Sequence, residues 1–154
     1  GIAHCFAQNQ FNVNLVDLSE NQLKKAISTI SKNLDRQIAK KIITTLQKSE
    51  TLDRIQTSTV LENSLKETNL VVEAASENIK IKAELFKKMD SFAPSDCILA
   101  SNTSSISITK RGAFTKRPEK VIGMHFMNPV PIMKLVEVIK GLSLIHISEP
   151  TRRS

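Results

Sequence analysis

The chain has 154 residues, of which 40% are hydrophobic and 24% are charged, the proportions of an ordinary globular domain with a core of its own. The sequence shows no signal peptide and no apolar run near the ~20 residues that a membrane span requires, and without Trp or Tyr it has little to stack on nucleic-acid bases. Cys5 and Cys97 are too few for a metal site or a disulfide framework, so we expect no metal and two reduced thiols in a cytoplasmic protein.

Basic residues give the chain a formal net charge of +7, and the lysines are spread over helical stretches without forming a single arm. A solvated helix surface is the first interpretation of this pattern. Attraction for a polyanionic small molecule is the second, and nucleic acid comes third. We therefore expect neither a nucleic-acid partner nor a membrane partner.

Short strand patterns alternate with helical patterns along the chain. In order, the patterns predict a helix over residues 1–10, a strand over 12–17, a helix that Ser19 caps and that a second helical run over 38–46 continues, a strand over 55–60, a short helix over 61–66, a strand over 70–74, a helix over 79–92, a strand over 97–101, a short helix near 106–111, and strands over 121–125 and 135–139. This alternation predicts an α/β fold with a doubly wound, mostly parallel sheet covered on both faces.

Several polar residues fall at or just after the ends of predicted strands, namely Asp17, Glu73, residues 101–104 and His125. In open parallel sheets, ligands bind beyond the carboxyl ends of the strands. The shared placement of these residues therefore predicts a functional site at that edge.

His125 ends an apolar run and is followed by Asn128 and two prolines, and Glu137 is the only acid in the next apolar run. A histidine at a strand end with a carboxylate that can return to it is a candidate general base with its orienting partner. A core histidine with a surface glutamate is the alternative on this stretch alone.

Residues 142–152 read L-S-L-I-H-I-S-E-P-T-R and do not continue the preceding pattern. They resemble the in-frame translation of a transposon-type sequencing adapter, so we expect residues 142–154 to be a non-native tail. Without Glu149, Arg152 and Arg153, the charge of +7 falls by a net +1 to about +6, so the basic character does not come from the tail.

Five strings occur in order between Gly1 and Gly141: G-I-A-H, V-V-E-A-A-S-E-N, A-S-N-T-S-S, H-F-M-N-P-V-P and M-K-L-V-E-V-I. Together they resemble the NAD-binding domain of the 3-hydroxyacyl-CoA dehydrogenase family, which includes bacterial 3-hydroxybutyryl-CoA dehydrogenases. The resemblance implies a Rossmann-type domain over residues 1–141. It also implies N-terminal truncation, because the first strand and the G-x-G-x-x-G turn would precede Gly1.

Two further consequences follow from the resemblance. A separate C-terminal helical domain, through which the whole protein would form a homodimer, is expected to be absent from this chain. The family also has a glycine near Gln10, so either Asn9 or Gln10 must take the left-handed turn, which Asn tolerates better than most residues.

The resemblance assigns four residues to the cofactor, NAD. Asp17 would accept hydrogen bonds from the adenosine ribose, and its charge would repel the 2′-phosphate of NADP. A helix-capping or turn aspartate is the alternative. Glu77 and Lys82 match positions near the nicotinamide ribose and the cofactor phosphates, although alone they would be an ordinary surface pair. Asn102 matches a residue near the nicotinamide.

The resemblance also assigns the chemistry, which is the reversible oxidation of an (S)-3-hydroxyacyl-CoA to the 3-oxoacyl-CoA. His125 would take the proton from the 3-hydroxyl, and Glu137 would hold the other ring nitrogen. Ser104 would hydrogen-bond the C3 oxygen, although a Ser/Thr turn is its alternative. Asn128 would help to orient the substrate or His125.

Three alternatives stay open at this point. Related hydroxyacid or sugar-acid dehydrogenases use a lysine as the acid/base, a lens-crystallin-like relative would be structural, and the whole protein could be a multifunctional fatty-acid oxidation enzyme. The chain alone is expected to be inactive or nearly so, because it lacks the phosphate-binding turn and half of the substrate site.

Overall fold

A computed structural model of the chain describes residues 1–74, 78–102, 108–126 and 136–140. The predicted alternation of helices and strands is confirmed over these ranges. The elements are α1 (Ile2–Gln8), β1 (Val13–Val16), α2 (Glu20–Ala39), α3 (Thr45–Asp53), β2 (Ile55–Ser58), α4 (Leu61–Leu65), β3 (Leu70–Glu73), α5 (Ile79–Phe92), β4 (Ile98–Ser101), α6 (Ile108–Gly112), a 3₁₀ helix (Pro118–Lys120), β5 (Val121–Phe126) and β6 (Val136–Lys140).

The strands form two sheets, although the sequence pattern predicted one. In the first sheet β1 pairs with β2 in parallel. In the second sheet the order is β3-β4-β5-β6, with parallel pairing except for the antiparallel β5–β6 pair. Parallel strands that alternate with helices, as in both sheets, are typical of doubly wound α/β domains. The expectation of a Rossmann-type, mostly parallel α/β fold is confirmed.

The described residues divide into two units, 1–64 and 65–140. The core of the first unit joins α1, α2 and β2 through Ala7, Ile30, Leu34 and Ile55, with half-buried apolar side chains of β1 and α3 around them. Apolar positions at i, i+3 and i+4 along α2 supply one face of this core, as the helical spacing predicted.

The second unit has its core where α5 covers β4. Phe86 and Met89 of α5 and Leu99 and Ala100 of β4 are buried. Arg117 ties the end of α5 to this core: its guanidinium donates to the Asp90 carboxylate at 2.7 Å and to the main-chain oxygens of Asp90, Ala93, Pro94 and Cys97. The carbonyl groups of Asp90 and Ala93 lie at the end of α5, where carbonyls have no N–H partner left within the helix, so the Arg117 fork satisfies them.

The expected continuation of α2 through residues 38–46 is wrong. The helix ends at Ala39, and a new helix, α3, begins at Thr45. Thr44 and Gln47 form a capping box, in which the Gln47 amide N–H donates to the Thr44 hydroxyl at 3.1 Å and the Thr44 amide donates to the Gln47 side chain at 2.8 Å. This reciprocal pair specifies a helix start that apolar periodicity does not show.

The left-handed turn expected at Asn9 or Gln10 is confirmed at Gln10, which has φ of 73°. The Phe11 amide bonds the Phe6 carbonyl oxygen and the Gln10 amide bonds the Ala7 carbonyl oxygen, so α1 ends in a Schellman motif. The turn at the end of α2 repeats this geometry, with Lys41 at φ of 59°. Neither position is a glycine, so both residues carry the cost of a left-handed backbone.

The two exposed lysines that end α2 provide a matched stability test. Lys41→Gly should stabilise the first unit by about 0.5–1 kcal/mol, because relief of the left-handed strain exceeds the entropy that glycine adds to the unfolded chain. Lys40→Gly, at φ of −85°, should destabilise it by a similar amount. Urea denaturation of both variants measures the difference, and shifts of the same sign would contradict the assignment of strain to Lys41.

Candidate active site

The second sheet brings the carboxyl ends of three parallel strands to one edge. Glu73 of β3 is paired in register with Ser101 of β4, and Ser101 with Gly123 of β5. The expectation that polar residues at strand ends share an edge is confirmed for these strands. Register partners point to the same face, so the Glu73 and Ser101 side chains share one face of the sheet.

His125 and Glu137 lie one step further along on this same face. His125 is two residues after Gly123, and it is paired in antiparallel register with Glu137. Directly opposed residues have Cβ atoms about 4.5–5.5 Å apart, so a carboxylate and an imidazole there are within reach of each other. Both side chains are exposed, and neither forms a hydrogen bond or an ion pair with any residue that the structure describes. The core-histidine alternative is therefore wrong.

Gly123 allows α6 to pack closely beside this pair. A Cβ atom at this position would lie 2.9 Å from Cδ1 of Ile108 and 3.3 Å from Cβ of Ile139. A larger residue here would require the Ile108 side chain to shift. His125, two residues further along β5, is exposed.

A buried charge pair lies beneath this edge. The Lys82 ammonium of α5 donates to the Glu73 carboxylate at 2.9 Å, and both side chains have zero exposure. The Ser101 hydroxyl donates to the other oxygen of the same carboxylate at 2.7 Å. The interpretation of Lys82 as part of a surface pair is wrong, because α5 directs this lysine inward.

Asn102 follows β4 at the same edge. Its main-chain N–H donates to the Glu73 carbonyl oxygen at 2.8 Å, which extends the parallel pairing by one residue. Its Oδ1 atom is buried and has no hydrogen-bond partner in the part of the chain that the structure describes. A buried acceptor without a donor is costly, so this oxygen is suited to a ligand that brings an N–H or O–H group.

Asp17 follows β1 in the first unit, and its exposed side chain lies at the strand end where it was expected. One carboxylate oxygen accepts the Ser19 N–H at 2.9 Å, and the Ser19 hydroxyl in turn accepts the Gln22 N–H at the start of α2. Asp17 therefore forms the turn that the alternative interpretation describes. The other Asp17 oxygen is not engaged by any described residue, so the turn does not use up the carboxylate.

Three expected site residues, Ser104, Asn128 and Glu77, lie outside the described residues, as does the expected tail over residues 142–154. The sequence reasoning placed Glu73 at a strand end but gave it no role. An acid that closes the apolar run L-V-V, followed nine positions later by a lysine on the next helix, is the signal that could have identified it.

Residues 1–144 match the family described as 3-hydroxyacyl-CoA dehydrogenase, NAD binding domain. The chain belongs to this family. The match confirms the family resemblance, and it confirms NAD as the cofactor of this domain.

Individual relatives agree with the family assignment. The chain is 45% identical to a 3-hydroxybutyryl-CoA dehydrogenase of Bradyrhizobium diazoefficiens over 93% of its own length and 48% of that protein. It is 45% identical to the human mitochondrial hydroxyacyl-coenzyme A dehydrogenase over 91% of the chain and 46% of that protein. The crystal structure of (S)-3-hydroxybutyryl-CoA dehydrogenase from Ralstonia eutropha superimposes with a TM-score of 0.87 at 46% identity, covering 92% of this chain and 50% of that one.

The chain therefore spans about half the length of the family members it matches. Among the described residues, no group of three or more His, Cys, Asp or Glu side chains could hold a metal ion. None of the described helices is both long and apolar enough to cross a membrane.

Burial of the Glu73–Lys82 pair can be tested by removing the positive partner. Lys82→Met leaves the Glu73 carboxylate buried without a counter-charge, and it should destabilise the second unit by about 3–5 kcal/mol. Lys80→Met, at an exposed position of the same helix, is the matched control and should change stability by less than about 0.5 kcal/mol. Equal effects of the two substitutions in urea denaturation would show that Lys82 is not buried against a charge.

Proposed function

We propose that the protein containing this chain is an NAD-dependent dehydrogenase that oxidises (S)-3-hydroxyacyl-CoA, such as 3-hydroxybutyryl-CoA, to 3-oxoacyl-CoA. The register pairing of His125 with Glu137 at the sheet edge carries the proposal, because it supplies a base and its orienting carboxylate in one place. Membership of the 3-hydroxyacyl-CoA dehydrogenase family supports it.

His125 acts as the general base. Its exposed ring takes the proton from the substrate 3-hydroxyl during oxidation and returns it to the ketone oxygen during reduction. From its position opposite the histidine, the Glu137 carboxylate can accept a hydrogen bond from the other ring nitrogen in the reacting complex, which would fix the tautomer and stabilise the imidazolium. NAD, when bound, supplies the hydride chemistry at C3.

Two of the residues assigned to NAD offer groups that suit its nicotinamide half. The buried Oδ1 atom of Asn102 accepts an N–H or O–H donor, as a carboxamide or a ribose hydroxyl provides. Lys82 has three N–H donors and only one acceptor, Glu73, among the described residues. Glu77 is assigned to the same half of the cofactor on the family resemblance.

Asp17 binds the adenosine ribose of the cofactor. The Asp17 oxygen that does not bond Ser19 would accept hydrogen bonds from the ribose hydroxyls. The negative charge would repel a 2′-phosphate, so NAD is preferred to NADP. Ser104 hydrogen-bonds the C3 oxygen of the substrate, and Asn128 orients the substrate or His125.

The surroundings of the reaction follow from charge and thiol chemistry. A net charge of +7 suits a CoA substrate, which carries several phosphates. Burial raises the pKa of the Cys97 thiol, so the thiol is unreactive. Cys97 forms no disulfide, which fits a reducing compartment such as the cytoplasm. The human relative is mitochondrial by name, so a mitochondrial location is the alternative. The whole protein forms a homodimer through a C-terminal helical domain.

A lysine-based dehydrogenase is disfavoured by the burial of Lys82. An acid/base catalyst must reach the reacting oxygen within hydrogen-bond distance. The Lys82 side chain has zero exposure and is held by Glu73, whereas His125 is open at the same edge. The His125–Glu137 pair also distinguishes the protein from a purely structural relative, which has no need of a base.

Substitution of the base tests the proposal. In the full-length protein, His125→Gln should lower kcat for reduction of acetoacetyl-CoA by about 10²–10⁴-fold, because proton transfer to the C3 oxygen loses its donor. The dissociation constant for NADH, measured by fluorescence titration, should stay within about twofold of wild type, because the ring contacts substrate and not cofactor.

Glutamate variants complete this experiment. Glu137→Gln should also lower kcat without changing NADH binding, whereas Glu119→Gln, at an exposed position outside the site, should leave both unchanged. A loss of NADH affinity in His125→Gln that equals the loss of kcat would overturn the assignment of His125 as the base.

A further inference from the structure

We propose that Glu73 is a positioning residue for the nicotinamide half of the cofactor: its buried carboxylate fixes Lys82 and the end of β4 relative to one another. The inference rests on the proposed function and deepens it. Glu73 touches neither cofactor nor substrate in this role. It acts through Lys82, Ser101 and Asn102.

Glu73, at the end of β3, is bonded to both α5 and β4. Its carboxylate accepts Lys82 of α5 at 2.9 Å and Ser101 of β4 at 2.7 Å, and its carbonyl oxygen accepts the Asn102 amide at 2.8 Å. Through its side chain and its main chain, Glu73 therefore joins β3 to β4 and to α5. Charge-assisted hydrogen bonds of this kind are short and directional, so they fix position as well as contributing energy.

Two groups beside the Glu73 carboxylate have hydrogen-bonding capacity that the described residues do not use. Lys82 uses one of its three N–H donors within the described residues, and Oδ1 of Asn102 uses none of its acceptor capacity there. Both groups are buried, so unmet hydrogen bonds are costly for the protein alone. A donor and an acceptor that Glu73 holds at one edge are complementary to a ligand that carries both hydroxyl and amide groups.

Glu73→Gln tests the positioning role of the charge without changing the shape of the side chain. Glu73→Gln keeps the size of the side chain and an acceptor for Ser101, but it removes the counter-charge that holds Lys82. In the full-length protein we expect the KM for NADH to rise about tenfold, since a hydrogen-bonded charge is lost. The KM for acetoacetyl-CoA should change by less than about twofold, because His125 and Glu137 are held by the β5–β6 pairing and not by Glu73.

Ser101→Ala is the milder variant and decides the outcome if Glu73→Gln does not fold. It removes one hydrogen bond to the carboxylate and leaves the ion pair intact, so the KM for NADH should rise about threefold. An unchanged KM for NADH in folded Glu73→Gln, or in Ser101→Ala, would overturn the positioning role.

A double variant distinguishes positioning from stability alone. Glu73→Gln combined with Lys82→Met leaves no buried charge of this pair, so its melting temperature should lie above that of Lys82→Met. The KM for NADH should nevertheless stay at least about tenfold above wild type. Recovery of the KM together with the melting temperature would mean that NADH binding needs neither the Lys82 ammonium nor its position, and it would overturn the role of Glu73.

The wild-type assay separates failure of this inference from failure of the proposed function. A wild-type protein that does not reduce acetoacetyl-CoA with NADH contradicts the proposed function itself. An active wild type whose KM for NADH is insensitive to Glu73→Gln contradicts only the role of Glu73.

Discussion

Parallel pairing of β3, β4 and β5 is the constraint on which the candidate site depends. It aligns Glu73, Ser101 and Gly123 in one row across the sheet and places their side-chain positions on one face. The antiparallel return of β6 then sets Glu137 opposite His125 in the next row. A shift of one residue in either register would move a member of the site to the other face.

Burial divides the polar residues of this edge into two kinds. Glu73, Lys82 and Ser101 have almost no exposure, and Lys82 and Ser101 both donate to the Glu73 carboxylate, so these residues fix geometry and do not act on the substrate. The side chains of His125 and Glu137 are exposed and form no hydrogen bond or ion pair with the described residues, so they are available to a substrate. A rigid buried layer beneath an open pair provides the preorganisation that proton transfer requires.

Local chemistry in the sequence predicted most of the elements but not their pairing. Ser19 and Pro94 marked a helix start and a helix end, and the strand-end positions of Asp17 and His125 followed from apolar runs. The end of α2 was missed because Lys41 takes a left-handed turn that usually belongs to glycine, and the start of α3 depends on a reciprocal Thr44–Gln47 bond. The burial of Lys82 was also missed, because a lysine near a helix start is ordinarily solvated and only the tertiary position of Glu73 reverses that expectation.

The central claim is that His125, oriented by Glu137, exchanges the proton of the substrate's C3 oxygen. The most direct test is a crystal structure of the full-length protein with NAD and acetoacetyl-CoA. The account predicts one ring nitrogen of His125 about 2.6–3.2 Å from the C3 oxygen and the other nitrogen bonded to the Glu137 carboxylate. An acetoacetyl group bound away from His125, with a different side chain on its C3 oxygen, would contradict it.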